Sequence, residues 1–441
     1  MKWEKLISPK RFGKQESSQL TIGMMRSEFQ RDYDRIIFSS PFRRLQNKTQ
    51  VFPLPGSVFV HNRLTHSLEV ASVGRSLGNR VLQKLIKKYP KHQKYLSEID
   101  TIIATASLAH DLGNPPFGHS GEKAISEYFS SGKGLDYENR FTDEQWSDLI
   151  HFEGNANALH LLTHTFNGRR PGGFVLTYAT IASLVKYPFG STDRKKKNNK
   201  YGFFISEKNT FKEIADETGL LKISENKYCR HPLVYLVEAA DDISYQIMDI
   251  EDAHKLGILS TEETTELLMS FFDTAKDTDF IKKKEEVVKV VIDKNEQIAF
   301  LRASVINYLV NKVTDIFLNN EDKILQGKFT GSLVDYLTGT AKYAMEKCSN
   351  IAWKKIYNHR SVIEIEITGY NVINTILNNF VTAIFNPERD YSKKLISLLP
   401  LQYKENHTDD YSRIRSIIDF VSGMTDLYAM DLYKLIKGIL K

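Results

Sequence analysis

Apolar positions along this chain recur at three- and four-residue spacing and seldom alternate, which predicts helices almost throughout. HNRLTHSLEVASVGRSLGNRVLQKLI, residues 61–86, puts Leu64, Leu68, Ala71, Leu77, Val81 and Leu85 on one stripe, the buried face of an amphipathic helix. IDTIIATASLAHDLG is an apolar helix that runs into His110 and Asp111 and stops at Gly113. A Pro-rich turn follows (Asn114, Pro115, Pro116), and KAISEYF after Glu122 is helical again. Residues 130–147 read as a polar surface excursion, and 150–166 as a helix headed by Glu153 and Asn155, where caps stand. GRRPGG (168–173) is a turn, and residues 176–189 form a helix that ends at Pro188 behind Lys186 and Tyr187.

HPLVYLVEAADDISYQIMDIEDAHKLGI, residues 231–258, is apolar almost all round, so its helix is buried. Beyond it come a capping box at Ser260 and Glu263, long helices in EQIAFLRASVINYLVNKVTDIFLNN and HRSVIEIEITGYNVINTILNNF, and a final helical stretch broken at Gly423. Residues 1–30 read as a polar arm or short helices, QVFPLPG (50–56) as a loop, and 191–200 as a solvated basic loop. No repeat, linker or charge block divides the chain. The expected fold is all-α, one domain over 1–441, with a core at roughly 60–255 and a C-terminal helical region at 259–441.

Composition adds few constraints. The net charge of +6 over 441 residues fits an anionic substrate without requiring nucleic acid. The two cysteines, Cys229 and Cys348, form no spaced motif, which argues against a disulfide framework or a Cys-ligated zinc. No apolar stretch at the start reads as a secretory signal, and none elsewhere reaches transmembrane length, so a cytoplasmic protein without a membrane partner is expected.

Polar residues inside apolar helices carry the chemistry. His66 lies in the 61–86 helix, with Arg63 three residues before it on the same face; the adjacent His110 and Asp111 end the next helix. In the 231–258 helix, Asp241, Tyr245 and Asp249 fall at i, i+4 and i+8 and line one stripe. Carboxylates in so apolar a helix are costly unless paired or bound to metal. His66, His110, Asp111 and Asp241 make a mixed nitrogen and oxygen set suited to a divalent metal ion: Mn, Mg, Fe, Co, Ni or Zn. His119 and Glu122 suit proton transfer, either to a leaving oxygen or from an attacking water. Packing and capping remain the competing readings for a lone His66 and for Asn155, and solvation for the Arg43–Arg44 pair.

The strings RRLQNKTQVFP, RLTHSLEV, HDLGNPPFGHSGE, FEGNA, VKYP, EAADDISYQIMDIEDA and GMTDLYAM span residues 43–430. Together they resemble the deoxyguanosine-triphosphate triphosphohydrolase family of HD-domain phosphohydrolases. The resemblance implies hydrolysis of a dNTP, dGTP first, to deoxynucleoside and inorganic triphosphate. It implies metal ligation by His66, His110, Asp111 and Asp241, with Asp241 preferred over Asp242, and catalysis by His119 and Glu122. Tyr245 would stack on the sugar, and Gln50 with Asp249 would read the 3′-hydroxyl. Arg63, Asn155, Lys186 and Tyr187 match phosphate- and sugar-side positions. Asn114 and Phe152 depart from vertebrate relatives, which carry histidines there. A homo-oligomer, tetramer or hexamer, and single-stranded DNA as a modulator are further expectations. The alternatives are an HD phosphodiesterase or guanosine-polyphosphate hydrolase, which has no need of Gln50, Tyr245 and Asp249, and a nucleotide-sensing nucleic-acid-binding protein, which has no need of His119 and Glu122.

Overall fold

The computed structural model describes residues 1–14, 26–52, 60–195, 199–273, 275–404 and 409–439. Part of the 50–56 loop, residues 196–198 of the basic loop, and stretches of the N-terminal arm and the C-terminal end lie outside these. Among the described residues the architecture is twenty-one α-helices with a single small hairpin, Lys222–Ser224 paired antiparallel with Lys227–Tyr228. Ten helices frame the site: α1 (Glu28–Ile37), α2 (Arg63–Lys88), α3 (Ile99–Ala109), α4 (Gly118–Ser130), α5 (Gly154–Thr163), α6 (Pro232–Lys255), α7 (Lys294–Asn319), α8 (Arg360–Phe385), α9 (Asp410–Ser422) and α10 (Asp426–Ile436).

α2 starts where Asn62 accepts a hydrogen bond from the Thr65 N–H, and Val70, Leu77, Val81 and Leu85 are fully buried. Leu68, expected on that face, is 46% exposed. At 100° per residue it lies about 200° around the helix from Val70, on the opposite side. α2 packs closely on α3, because Gly74 and Gly78 leave room: a Cβ at Gly78 would stand 2.7 Å from the Asp100 Cα. α6 lies against both, and α7 covers the outer side of α2 and α6. Every residue of α3 is buried except Asp100 and Thr101, so His110 and Asp111 leave its end inside the protein.

A second apolar cluster joins α4 and the Trp146–Phe152 region to α8, α9 and α10. It is built from both halves of the sequence. α1 packs on the other side of α3.

Several expectations are corrected. Of the two readings of residues 1–30, short helices hold at Trp3–Leu6 and Glu28–Ile37, but the start is not polar: Trp3, Leu6 and Ile7 are buried, with the Trp3 indole N–H donating to Glu321. The excursion at 130–147 runs into the helix Asp143–Ile150, which has a capping box at Thr142 and Gln145 and a buried Trp146. Helix α4 begins at Gly118, before His119 and Glu122, so the two share one helical face at i and i+3. The 176–189 stretch is helical only over Tyr178–Leu184, since Pro188 disfavours helix before it and Val185 is extended. The capping box at Ser260 and Glu263 forms as expected.

Candidate active site

Three helices bring the four candidate ligands together. His66 on α2, and His110 and Asp111 after α3, hold donor atoms within 4.8 Å of one another. Asp241 on α6 places Oδ1 at 3.1 Å from His66 Nε2 and 3.5 Å from His110 Nε2. His110 Nδ1 lies 2.6 Å from the Ser107 carbonyl and donates its N–H there, which turns the Nε2 lone pair toward the carboxylates. Asp111 is held on both sides, by Arg63 at 2.7 Å and by the Asn114 amide.

The set fits a divalent cation on its chemistry. Ligands about 2.1 Å from an octahedral ion stand about 3 Å apart, close to the 3.1 and 3.5 Å that Asp241 keeps from the two imidazoles. Burial alone would raise the Asp241 pKa, but the positive charge of His110 and His66 in their protonated form, with Lys186 beyond them, holds it well below the usual carboxylate range. Asp111 is likewise buried, yet Arg63 leads the positive neighbours that keep it low. Both carboxylates therefore stay ionised and available to a metal. Asp242 differs: burial lifts it to about 7 against the pull of Lys186. The preference for Asp241 rests on this geometry as well as on the spacing.

His119 is exposed, and its Nδ1 meets Glu122 at 2.9 Å. The other Glu122 oxygen accepts the Gly154 N–H at 2.8 Å, at the start of α5. Burial would raise Glu122, but the hydrogen bond from His119 and the charge of Lys200 bring it down to about 2. The turn before this pair is strained. Phe117 has φ 62°, in the left-handed region, at about 1–2 kcal/mol for a residue other than glycine. Gly118 follows at φ 58°, where a Cβ would stand 2.6 Å from the Arg63 guanidinium. Gly113 also has to be glycine, because its Cβ would meet the Gly154 carbonyl at 2.1 Å.

A cavity of about 300 Å³ opens over the four candidate ligands. Gln50, Arg63, Asn155, Lys186, Tyr187, Tyr245, His119 and Glu122 all line it. It continues outward into a larger cleft of about 810 Å³ that shares Gln50, His119, Glu122, Lys200 and Tyr245. Gln50 Oε1 is buried without a hydrogen-bond partner among the described residues, an acceptor that calls for a donor. Lys186 pairs with Glu238 at 3.3 Å, and Tyr187 lies near Lys186 and Arg230. At the head of α5 the cap is Glu153, which accepts the Asn155 N–H while the Asn155 amide donates back to it.

Asp249 is not in the cavity wall. Its carboxylate accepts the Tyr357 hydroxyl at 2.6 Å, and burial, only partly offset by that bond, lifts it to about 7. Tyr357 stacks beside Tyr245 at 6.1 Å between ring centroids and lines the outer cleft. Nothing in the spacing of AWKKIYNHR signals this contact. Lys200 was likewise missed. It turns inward from the basic loop to meet Glu153 at 2.7 Å, and Glu122 and Glu153 outweigh burial to keep it charged. That a buried Glu153 needs a cation is the one clue the sequence offered.

An HD domain model matches residues 63–150, and a phosphohydrolase-associated domain model matches residues 337–435. Helices, HD stretch and associated C-terminal stretch together define the class of HD-domain phosphohydrolases. A deoxyguanosinetriphosphate triphosphohydrolase-like protein of Synechocystis is 38% identical over the whole of both chains, and one of Pseudomonas aeruginosa 36% over 99% of each. A deoxyguanosinetriphosphate triphosphohydrolase of Yersinia pseudotuberculosis is 30% identical over 92% of this chain and 93% of its own. The chain belongs to the deoxyguanosinetriphosphate triphosphohydrolase-like family. Among the described residues no helix is long and apolar enough to cross a membrane.

Proposed function

We propose that this protein hydrolyses a deoxynucleoside triphosphate, with dGTP the first candidate, to the deoxynucleoside and inorganic triphosphate. The observation that carries the reading is one cavity lined by the four candidate ligands, the His119–Glu122 pair and the Gln50–Tyr245 wall. A divalent ion held by His66, His110, Asp111 and Asp241 would make a bound water more acidic and offset negative charge on a phosphoryl oxygen.

The chain's own groups do the rest. Lys186, Tyr187, Arg63, Asn155 and Lys200 face the cavity and suit the triphosphate. Water attacks the α-phosphorus, and the bond from phosphorus to the sugar's 5′ oxygen breaks. With Nδ1 on Glu122, His119 keeps Nε2 for the substrate side, and Glu122 supports its positive form. The Gln50 carbonyl oxygen accepts the 3′-hydroxyl, and Tyr245 underlies the sugar and leaves no room for a 2′-hydroxyl. Asp249 joins Gln50 only if Tyr357 shares it.

The test is a product assay. Protein with Mn²⁺ or Mg²⁺ is incubated with each of the four dNTPs, singly and mixed, and with GTP. Deoxyguanosine and triphosphate from dGTP, with GTP untouched, is the expected result. Release of monophosphate or diphosphate, or no nucleoside under any condition, overturns the reading. Turnover only in mixtures would place an activating nucleotide elsewhere. Light scattering tests the homo-oligomer that belongs to the same proposal.

A further inference from the structure

We infer that Asp426 is a positioning residue that sets the catalytic turn and the Gln50 loop from the far end of the chain. The inference rests on the reading of the cavity under Proposed function. Asp426 is the first residue of α10, 6% exposed, and lies in the GMTDLYAM string to which no role has been given. Its two oxygens are spent on two backbone donors. Oδ1 accepts the Phe117 N–H at 3.0 Å, and Oδ2 accepts the Thr49 N–H at 2.8 Å.

Those two donors stand next to the chemistry, and both residues line the outer cleft. Thr49 immediately precedes Gln50. Phe117 lies two residues before His119, and its left-handed backbone is not one that a phenylalanine adopts unaided. What holds it comes from the C-terminal helices. Asp426 takes its N–H, and its side chain fills the space over Gly369 on α8, where a Cβ would stand 2.5 Å from the Phe117 Cβ. A strained residue persists where its surroundings over-determine it.

The end of α9 reinforces the grip. Lys48 Nζ donates to the Asn114 carbonyl at 2.6 Å and to the Ser422 carbonyl at 2.7 Å. The Asn157 amide donates to the Gly113 carbonyl at 2.8 Å and to Ser422 Oγ at 3.2 Å. Ser422 and Asp426 thus reach the turn that follows His110 and Asp111 at both of its ends. Asp426 itself touches neither the candidate ligands nor the cavity, so its effect is exerted through Phe117 and Thr49.

The test uses full-length protein and the substitution Asp426→Asn. This keeps the size but turns an amide toward one of the two N–H groups. The expected result is a fall in kcat of about tenfold to a hundredfold, the scale seen when an orienting partner is lost, with Mn²⁺ affinity within about twofold of the original. In a His119→Ala background the same substitution should cost clearly less, since one of the two groups it positions is gone and only the Gln50 side remains. Hydrogen–deuterium exchange gives a readout free of turnover: exchange should quicken over residues 113–122 and 48–51 and stay unchanged on α2 and α6. An unchanged kcat, a full repeat of the loss in the His119→Ala background, or exchange that rises uniformly overturns the inference. Should the unsubstituted protein release no nucleoside, the proposed function fails. Exchange alone then decides the role of Asp426.

Discussion

Asp241 and Asp242 are neighbours in the chain, yet only one of them faces the imidazoles. That difference makes a sharp test. Asp241→Asn should lower metal affinity and turnover by more than about a hundredfold, beyond what loss of an orienting partner costs, while Asp242→Asn leaves metal binding intact. Calorimetric titration with Mn²⁺ on both variants checks it. Asn114 holds Asp111 from the side. Asn114→Ala should therefore cost about ten- to a hundredfold in metal affinity or activity. His119→Ala should lower kcat by about a hundredfold or more and leave Mn²⁺ binding unaltered, because His119 contacts Glu122 and none of the four candidate ligands. Sequence spacing nominated His119 and Asp241, and the resemblance preferred Asp241 over Asp242; neither gave Asn114 a role. Nor was spacing enough for Tyr357, whose partner Asp249 lies 108 residues away.

Glycine spacing decides how closely α2 and α3 approach. In an exposed helix, Gly78→Ala would stabilise by about 1 kcal/mol through propensity alone. Here the new Cβ would stand 2.7 Å from the Asp100 backbone, and forcing two helices apart costs about 1–3 kcal/mol. The clash wins, so Gly78→Ala should lower the urea midpoint; a rise would show that the helices slide freely. The helices themselves were legible because their apolar stripes are long and regular. Their ends were less so. Where α4 begins depends on the Phe117 backbone, which Asp426 holds from another part of the chain, and no local pattern encodes that.

Across the molecule, buried ion clusters tie distant segments together. His160 on α5 pairs with Glu207 at 2.9 Å and with Asp419 on α9 at 3.0 Å. Burial would lower the His160 pKa, but Asp419 and Glu207 raise it to about 9. A raised histidine stabilises the folded state fully below its ordinary value of about 6.5, and that stabilisation is lost as the pH rises through about 9. His61, between Asp252 and Glu69 at 2.7 and 2.8 Å, is raised to about 10 in spite of burial and adds a second loss of the same sign. The melting temperature should therefore decline between pH 6.5 and 10. His160→Gln should melt lower at pH 6.5 and show a shallower decline, measured by scanning fluorimetry; an equal slope would remove His160 from the account.

By itself the sequence determined the helical class, the buried nature of α3 and α6, the family, and the candidate ligands, because each of these is written in local periodicity or in short strings. Tertiary structure alone decided the rest. It set which way Lys200 turns, what occupies Asp249, and how α8 to α10 close over the turn before His119. These depend on contacts between residues far apart in the chain, and a one-dimensional pattern specifies which faces are apolar without specifying which face meets which.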